Sequence, residues 1–342
     1  MDEVARLPAR ERADLFTEAA SRRGLVPAIL EKDFWVCWML KRIFTLPGRN
    51  PLLIFKGGTS LSKVYSAIRR FSEDIDLSFD RRDLGYRDER DPESASSKKK
   101  TQQLIQELVE AVQEHIDTIL LPRLDEVIEV QLGPGGQTWA LAKDAADPQA
   151  VVFRYPSSLS HGGLTYINPV VRLELGARGD PWPTEQRPIK PYAAEEFPEI
   201  FQAPVCDVTV LAAERTFWEK ATLLHTEYHR PPDKPTDERR SRHYYDLALL
   251  AETEYGQRAL TQLDLLERVA KHKQVFFPAA WAKYEEARPG SLRLVPRKER
   301  LSRLDADYAK MAPMIFDQPP PRFEDLIARL DVLEKRINGG SA

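Results

Sequence analysis

Cysteine is nearly missing: the 342 residues hold only Cys37 and Cys206, each inside an apolar stretch where a free thiol behaves as a small buried hydrophobe. That excludes a disulfide-stapled scaffold. No run approaches the roughly 20 uncharged apolar residues that span a bilayer, and Met1 to Arg12 is charged throughout, without the apolar run of a secretion signal. The expected location is therefore the cytoplasm, with no membrane partner. An excess of one charge is also lacking. Fifty basic against fifty-three acidic side chains leave a formal charge of -3, so any nucleic-acid contact must come from a local patch. No Cys/His cluster is present. His225, His229 and His243 do not space as a metal set, and His161 and His272 carry no signal, which argues against zinc.

What is present is ordinary globular material, 42% apolar and 30% charged, long enough for about two domains. Helical periodicity runs over Ala9 to Arg22 and Pro27 to Phe44, the second with an apolar stripe of Phe34, Trp35, Trp38 and Met39. A strand at Leu52 to Phe55, a turn at Lys56 to Ser60, a helix containing Leu61, Val64, Tyr65 and Ile68, and a second strand from Ile75 to Phe79 follow. The polar stretch Arg81 to Lys100 reads as a mobile loop before a helix near Thr101 to Ile119. Further strands are expected at Val127 to Gln131, Ala150 to Tyr155 and Val170 to Leu175. Six prolines between Pro181 and Pro204 resist helix and central strand alike and predict an extended crossing. Beyond it helices are expected at Leu211 to Glu227, Glu238 to Glu252, Arg258 to Lys271 and Arg322 to Ile337, with a less regular stretch at Ala279 to Ala287. The fold class is α/β: a mixed-sheet domain over 1–203 and a helical domain over 204–342, bilobed.

One constellation suits phosphate chemistry. Gly57 and Gly58 let the backbone approach an anion, since no Cβ intrudes, and the following helix start offers unpaired N–H groups. Thr59 or Ser60 adds a hydroxyl. Asp74 and Asp76 are one residue apart on an expected strand, so period two puts both carboxylates on one face, roughly 7 Å apart at Cα. Two such carboxylates suit hard divalent cations, Mg²⁺ or Mn²⁺, that activate an attacking oxygen and neutralise a leaving pyrophosphate.

The run Phe55-Lys56-Gly57-Gly58-Thr59-Ser60-Leu61-Ser62-Lys63, with Arg70-Phe71-Ser72-Glu73-Asp74-Ile75-Asp76-Leu77, resembles the AbiEii/AbiGii toxins of type IV toxin–antitoxin systems and, more broadly, the nucleotidyltransferase fold. The resemblance resumes in Glu214-Arg215-Thr216-Phe217-Trp218-Glu219-Lys220-Ala221 and in Arg242-His243-Tyr244-Tyr245-Asp246-Leu247-Ala248-Leu249-Leu250, with little match between. It implies transfer of NMP from an NTP to an acceptor hydroxyl, such as the 3′ end of tRNA, which stops translation. It further implies a winged-helix AbiEi-like antitoxin partner. By motif, Lys56, Gly57, Gly58, Thr59, Ser60 and Lys63 would bind the nucleotide, and Asp74 and Asp76 the metal. The superfamily supplies a third carboxylate from a later strand. Glu174 offers one, its alternative being a salt bridge with Arg172 or Arg178.

Lys220 and Asp246 each sit on a largely apolar helical face, so each needs a partner. Either they pair with each other, pinning two helices, or Lys220 grips a phosphate and Asp246 orients it. Glu31-Lys32-Asp33 fits the family's opening pattern and reads as structural. Basic clusters at Lys98 to Lys100, Arg239-Arg240 with Arg242, and Arg297-Lys298 with Arg300 are the candidates for an RNA backbone. Two other functions stay open: transfer of NMP to a protein side chain, and a silent nucleotide-binding regulator.

Overall fold

The computed structural model describes residues 1–47, 51–136, 138–159 and 168–339; Gly48 and His161 lie outside them. The chain divides into two compact units. One comprises Met1–Val64, Glu73–Asp91 and Gln103–Val210; the other comprises Tyr65–Ser72, Pro92–Gln102 and Leu211–Ala342. The division falls past residue 203 because the chain after the proline-rich crossing first adds one more strand to the sheet.

That sheet has seven strands: β1 (Leu53–Lys56), β2 (Ile75–Phe79), β3 (Ala140–Lys143), β4 (Ala150–Arg154), β5 (Val170–Gly176), β6 (Thr184–Ile189) and β7 (Cys206–Leu211), in the order β3-β4-β5-β2-β1-β7-β6. It is mixed. β1 runs antiparallel to β2 and parallel to β7, while β2 runs parallel to β5. Its middle is therefore β5-β2-β1, and the apolar alternation of Ile75, Leu77 and Leu173, Leu175 buries one face. β6 takes an edge, the position that tolerates Pro188.

The helices of the first unit are α1 (Asp2–Arg6), α2 (Ala9–Arg23), α3 (Pro27–Phe44), α4 (Gly57–Lys63), α5 (Lys98–His115), α6 (Leu121–Leu132) and α7 (Tyr192–Glu196), α5 drawing its first turn from the second unit. α3 is buried from Ile29 to Leu40. Its Trp35 ring stacks on Tyr155 at 5.6 Å and Trp38 on Phe153 at 5.8 Å, which seats the helix against β4. The strand expected at Val127 to Gln131 is instead the end of α6. The buried residues there, Leu120, Leu124 and Ile128, recur every four positions, and Val130 is exposed.

The second unit is helical: α8 (Ala213–His229), α9 (Ser241–Glu252), α10 (Glu254–Ala259), α11 (Leu263–Phe276), α12 (Lys298–Met311) and α13 (Phe323–Ile337). Phe217, Trp218, Tyr244, Leu247, Leu250, Leu326 and Leu330 form its core. Among the described residues, no helix is long and apolar enough to cross a membrane.

Candidate active site

The centre of the sheet aligns three charged residues. Register places Lys56 of β1 opposite Asp76 of β2, and Asp76 opposite Glu174 of β5, so the three occupy one row across adjacent strands. Strands pair about 4.8 Å apart, which makes Asp76 the middle member of a lysine–aspartate–glutamate row. Asp74 immediately precedes β2.

Backbone shape at the turn is dictated by Asp76. Gly57 adopts φ +81°, and a Cβ there would lie 1.9 Å from Asp76 Oδ2 and 2.7 Å from its Cγ. Only glycine fits, on both counts. The tight packing brings the Gly57 backbone against the carboxylate, which a side chain would have kept apart.

Lys56, Gly57 and Gly58 are half-buried, whereas Thr59 and Ser60 are buried and turn their hydroxyls inward. Thr59 Oγ1 donates to the Asp74 carbonyl at 2.5 Å, and Ser60 Oγ to the Gly57 carbonyl at 2.9 Å. Lys63 is buried 2.6 Å from Asp33 Oδ1 and 3.4 Å from the Tyr192 ring centre. Burial alone would favour loss of its proton, yet Asp33 raises the ammonium above the usual lysine range. The expectation that Thr59, Ser60 and Lys63 bind nucleotide meets a physical objection: their polar atoms already hold the turn in place.

α3 supplies the scaffold for this turn. Glu31 accepts from Ser157 Oγ at 2.7 Å and from the Ser158 N–H at 2.5 Å. Lys32 binds Glu73, the residue before Asp74, at 2.6 Å, and Asp33 accepts from the Tyr192 N–H at 2.6 Å as well as from Lys63. Three consecutive buried charges thus tether three separate segments.

Glu174 remains 47% exposed at its side chain and accepts from Arg172 Nε at 3.3 Å, the salt bridge that is the alternative to a metal-binding role. Arg172 also engages Asp144 and Asp147. Even so, the Glu174 carboxyl is raised above its ordinary value, first by withdrawal from water, then by Asp76 beside it. Two carboxylates in mutual repulsion with hard oxygen donors fit a divalent cation, which removes that repulsion. Among the described residues no ready-made cluster of three metal-binding side chains is formed.

In the second unit Lys220 and Asp246 meet directly, Nζ to Oδ2 at 2.7 Å. A third residue, outside the candidate set that the motifs define, joins them. Arg70 clasps Asp246 with Nε at 2.7 Å to Oδ1 and Nη2 at 2.9 Å to Oδ2. Its signal was its place in the Arg70 to Leu77 motif. Desolvation would protonate Asp246, but Arg70 and Lys220 outweigh it and hold the carboxyl well below the usual range. Lys220 is lowered by burial against the pull of Asp246. His243, on the same helix as Asp246, is lowered by burial and by Lys220 and stays neutral.

The profile of the nucleotidyl transferase AbiEii toxin family, type IV toxin–antitoxin system, matches residues 38–329 and so covers both the carboxylate row and the Arg70–Asp246–Lys220 cluster. The chain belongs to the AbiEii toxin family. No curated protein matches. Among solved structures, MenT4, a nucleotidyltransferase toxin from Mycobacterium tuberculosis H37Rv, is similar at 15% identity and a TM-score of 0.44, over 96% of this chain and 97% of that one. The AbiEii profile begins inside α3 at Trp38, so Lys56, Gly57, Arg70, Asp74, Asp76, Glu174, Lys220 and Asp246 fall within the family region, whereas Glu31, Lys32 and Asp33 precede it.

Proposed function

We propose that this AbiEii-family chain transfers NMP from an NTP to an acceptor hydroxyl, most simply the 3′ end of tRNA, and thereby blocks translation. The observation that carries the reading is the Lys56–Asp76–Glu174 row with the Gly57 backbone pressed against Asp76. Asp74 and Asp76, with Glu174, are the residues that would hold Mg²⁺ or Mn²⁺. A bound cation would supply charge neutralisation at the triphosphate. Lys56 and the Gly57-Gly58 backbone lie at the accessible side of the turn and are assigned to the nucleotide, while Thr59, Ser60 and Lys63 position them. Within the second unit Lys220 is assigned to an anion, with Asp246 orienting it. Arg70 keeps Asp246 ionised, so Lys220 is held by a full negative charge. A cognate AbiEi-like antitoxin is the proposed partner.

The test incubates the protein with total tRNA, Mg²⁺ and each α-labelled NTP in turn, beside an Asp74→Ala, Asp76→Ala double variant. Label in RNA that disappears in the variant is expected. Label in protein in place of RNA would make the acceptor a side chain, and NTP binding without any transfer would make the chain a regulator.

A further inference from the structure

The second unit carries aromatic rings that hold basic side chains at its surface. Near the end of α8, the guanidinium of Arg297 lies 5.1 Å, and that of Arg293 5.6 Å, from the centre of the Tyr228 ring. Two residues beyond Tyr228, Arg230 sits 5.0 Å from the Trp281 ring centre, and Lys234 Nζ lies 5.7 Å from the same ring. Tyr228 and Trp281 are both partly exposed.

The four cations are not equivalent. Arg230 is compensated by Glu227 at 2.7 Å and Arg293 by Glu334 at 3.2 Å. Arg297 and Lys234 have no carboxylate at ion-pair distance among the described residues, and their charged heads rest on rings. The turn that presents Lys234 is fixed from below. Arg300 donates to the carbonyls of Pro231 at 2.6 Å and Lys234 at 3.1 Å, and to Thr236 Oγ1 at 2.7 Å. Arg300, counted by sequence among the basic clusters, is therefore committed to the fold, and Lys234, outside those clusters, takes its place at the surface.

A cation within about 6 Å of a ring centre is attracted to its π-face without spending its N–H donors, which remain able to bind an anion. Two uncompensated cations, each beside a partly exposed aromatic ring, match a chain of phosphates whose bases have π-faces of their own. An acidic polypeptide would use the charges and leave the rings idle. We propose that the surface around Tyr228 and Trp281 grips a single-stranded RNA segment, with Arg297 and Lys234 on backbone phosphates and a base taking the place beside the Trp281 ring that the Lys234 ammonium leaves as it moves to the phosphate. The choice of RNA as the strand rests on the acceptor proposed above.

The test measures binding of a labelled single-stranded RNA oligonucleotide by anisotropy across a salt series, using the full chain without NTP. The Lys234→Ala, Arg297→Ala variant is expected to bind about tenfold more weakly, with the salt slope shallower by about 1.4, roughly 0.7 per lost phosphate contact. Trp281→Phe should bind better than Trp281→Leu. Unchanged melting temperatures establish that the variants are folded. An unchanged salt slope in the double variant overturns the proposal, as does polyglutamate that competes as well as RNA, which would assign the face to an acidic protein. The two readings separate cleanly. Transfer to RNA with an unchanged slope removes this face and leaves the acceptor standing; a changed slope without any transfer to RNA does the reverse.

Discussion

Gly57 shows how one residue can decide a site. Alanine there would place a methyl group 1.9 Å from Asp76 Oδ2 at a φ that L side chains avoid. Gly57→Ala is expected to reduce nucleotide transfer at least a hundredfold, because the carboxylate or the turn must move, while costing about 1–3 kcal/mol in urea unfolding. Asp246 gives a second case. Asp246→Ala leaves Arg70 and Lys220 as buried cations without their shared anion and should cost about 3–5 kcal/mol. Lys220→Ala should cost less, since both Asp246 oxygens keep their bonds to Arg70. Equal losses in the two variants would refute this ordering. A third concerns pH. His225 Nδ1 accepts from the Arg293 N–H at 3.1 Å and Nε2 donates to the Lys283 carbonyl at 2.9 Å, so only the neutral ring fits. Burial lowers its pKa to about 4 from 6.5. A base depressed on folding binds fewer protons when native, so stability is present above pH 6.5 and declines as pH falls from 6.5 to about 4. His225→Gln should flatten that decline by on the order of 2 kcal/mol, read from urea midpoints across the range.

At the level of elements, legibility followed period and burial. α2 and α3 announced themselves by apolar spacing, and β1, β2, β4 and β5 by short apolar runs. α12 escaped because only Leu304, Tyr308 and Met311 of its fourteen residues are buried, a stripe too thin to see among charges. β6 escaped because polar residues and Pro188 dominate it, and β3 because it is a short edge strand of small and exposed residues. The site divides the same way. Asp74, Asp76 and the glycine turn are local in sequence and were visible. The alignment of Glu174 with Asp76 depends on which strands pair and leaves no local trace, and the role of Arg70 depends on a partner far along the chain, so its place in the Arg70 to Leu77 motif marks the residue without showing what it binds. α3 also invites a test. Trp35 touches Phe34, Trp38, Phe153 and Tyr155, so Trp35→Ala should cost about 3–5 kcal/mol. A loss under 1 kcal/mol would show that α3 is not held by its tryptophans.

At the scale of the whole chain, the second unit is assembled from three stretches, and two of them come from the first third of the sequence. The Phe71 N–H donates to the Met314 carbonyl at 2.7 Å, and Phe316 N–H to the Arg69 carbonyl at 2.9 Å, besides the Arg70 clasp. A fragment of residues 211–342 would lack all of these and keep Asp246 with one cation. It is expected to give dispersed, low-stability or aggregated material, whereas co-expression with a segment spanning 65–102 should improve its yield. A well-folded fragment with the stability of the full chain would contradict this.

The clasp between Arg70 and Asp246 also sets a clock. The two residues are separated by 176 positions, and a ribosome adding about 5–20 residues per second takes on the order of 10–35 s to cross that distance. Throughout that interval the nascent protein displays the acidic strand and its glycine turn while Arg70 waits for a residue not yet made. A toxin assembled this way cannot close its Arg70–Asp246–Lys220 cluster until that interval has passed.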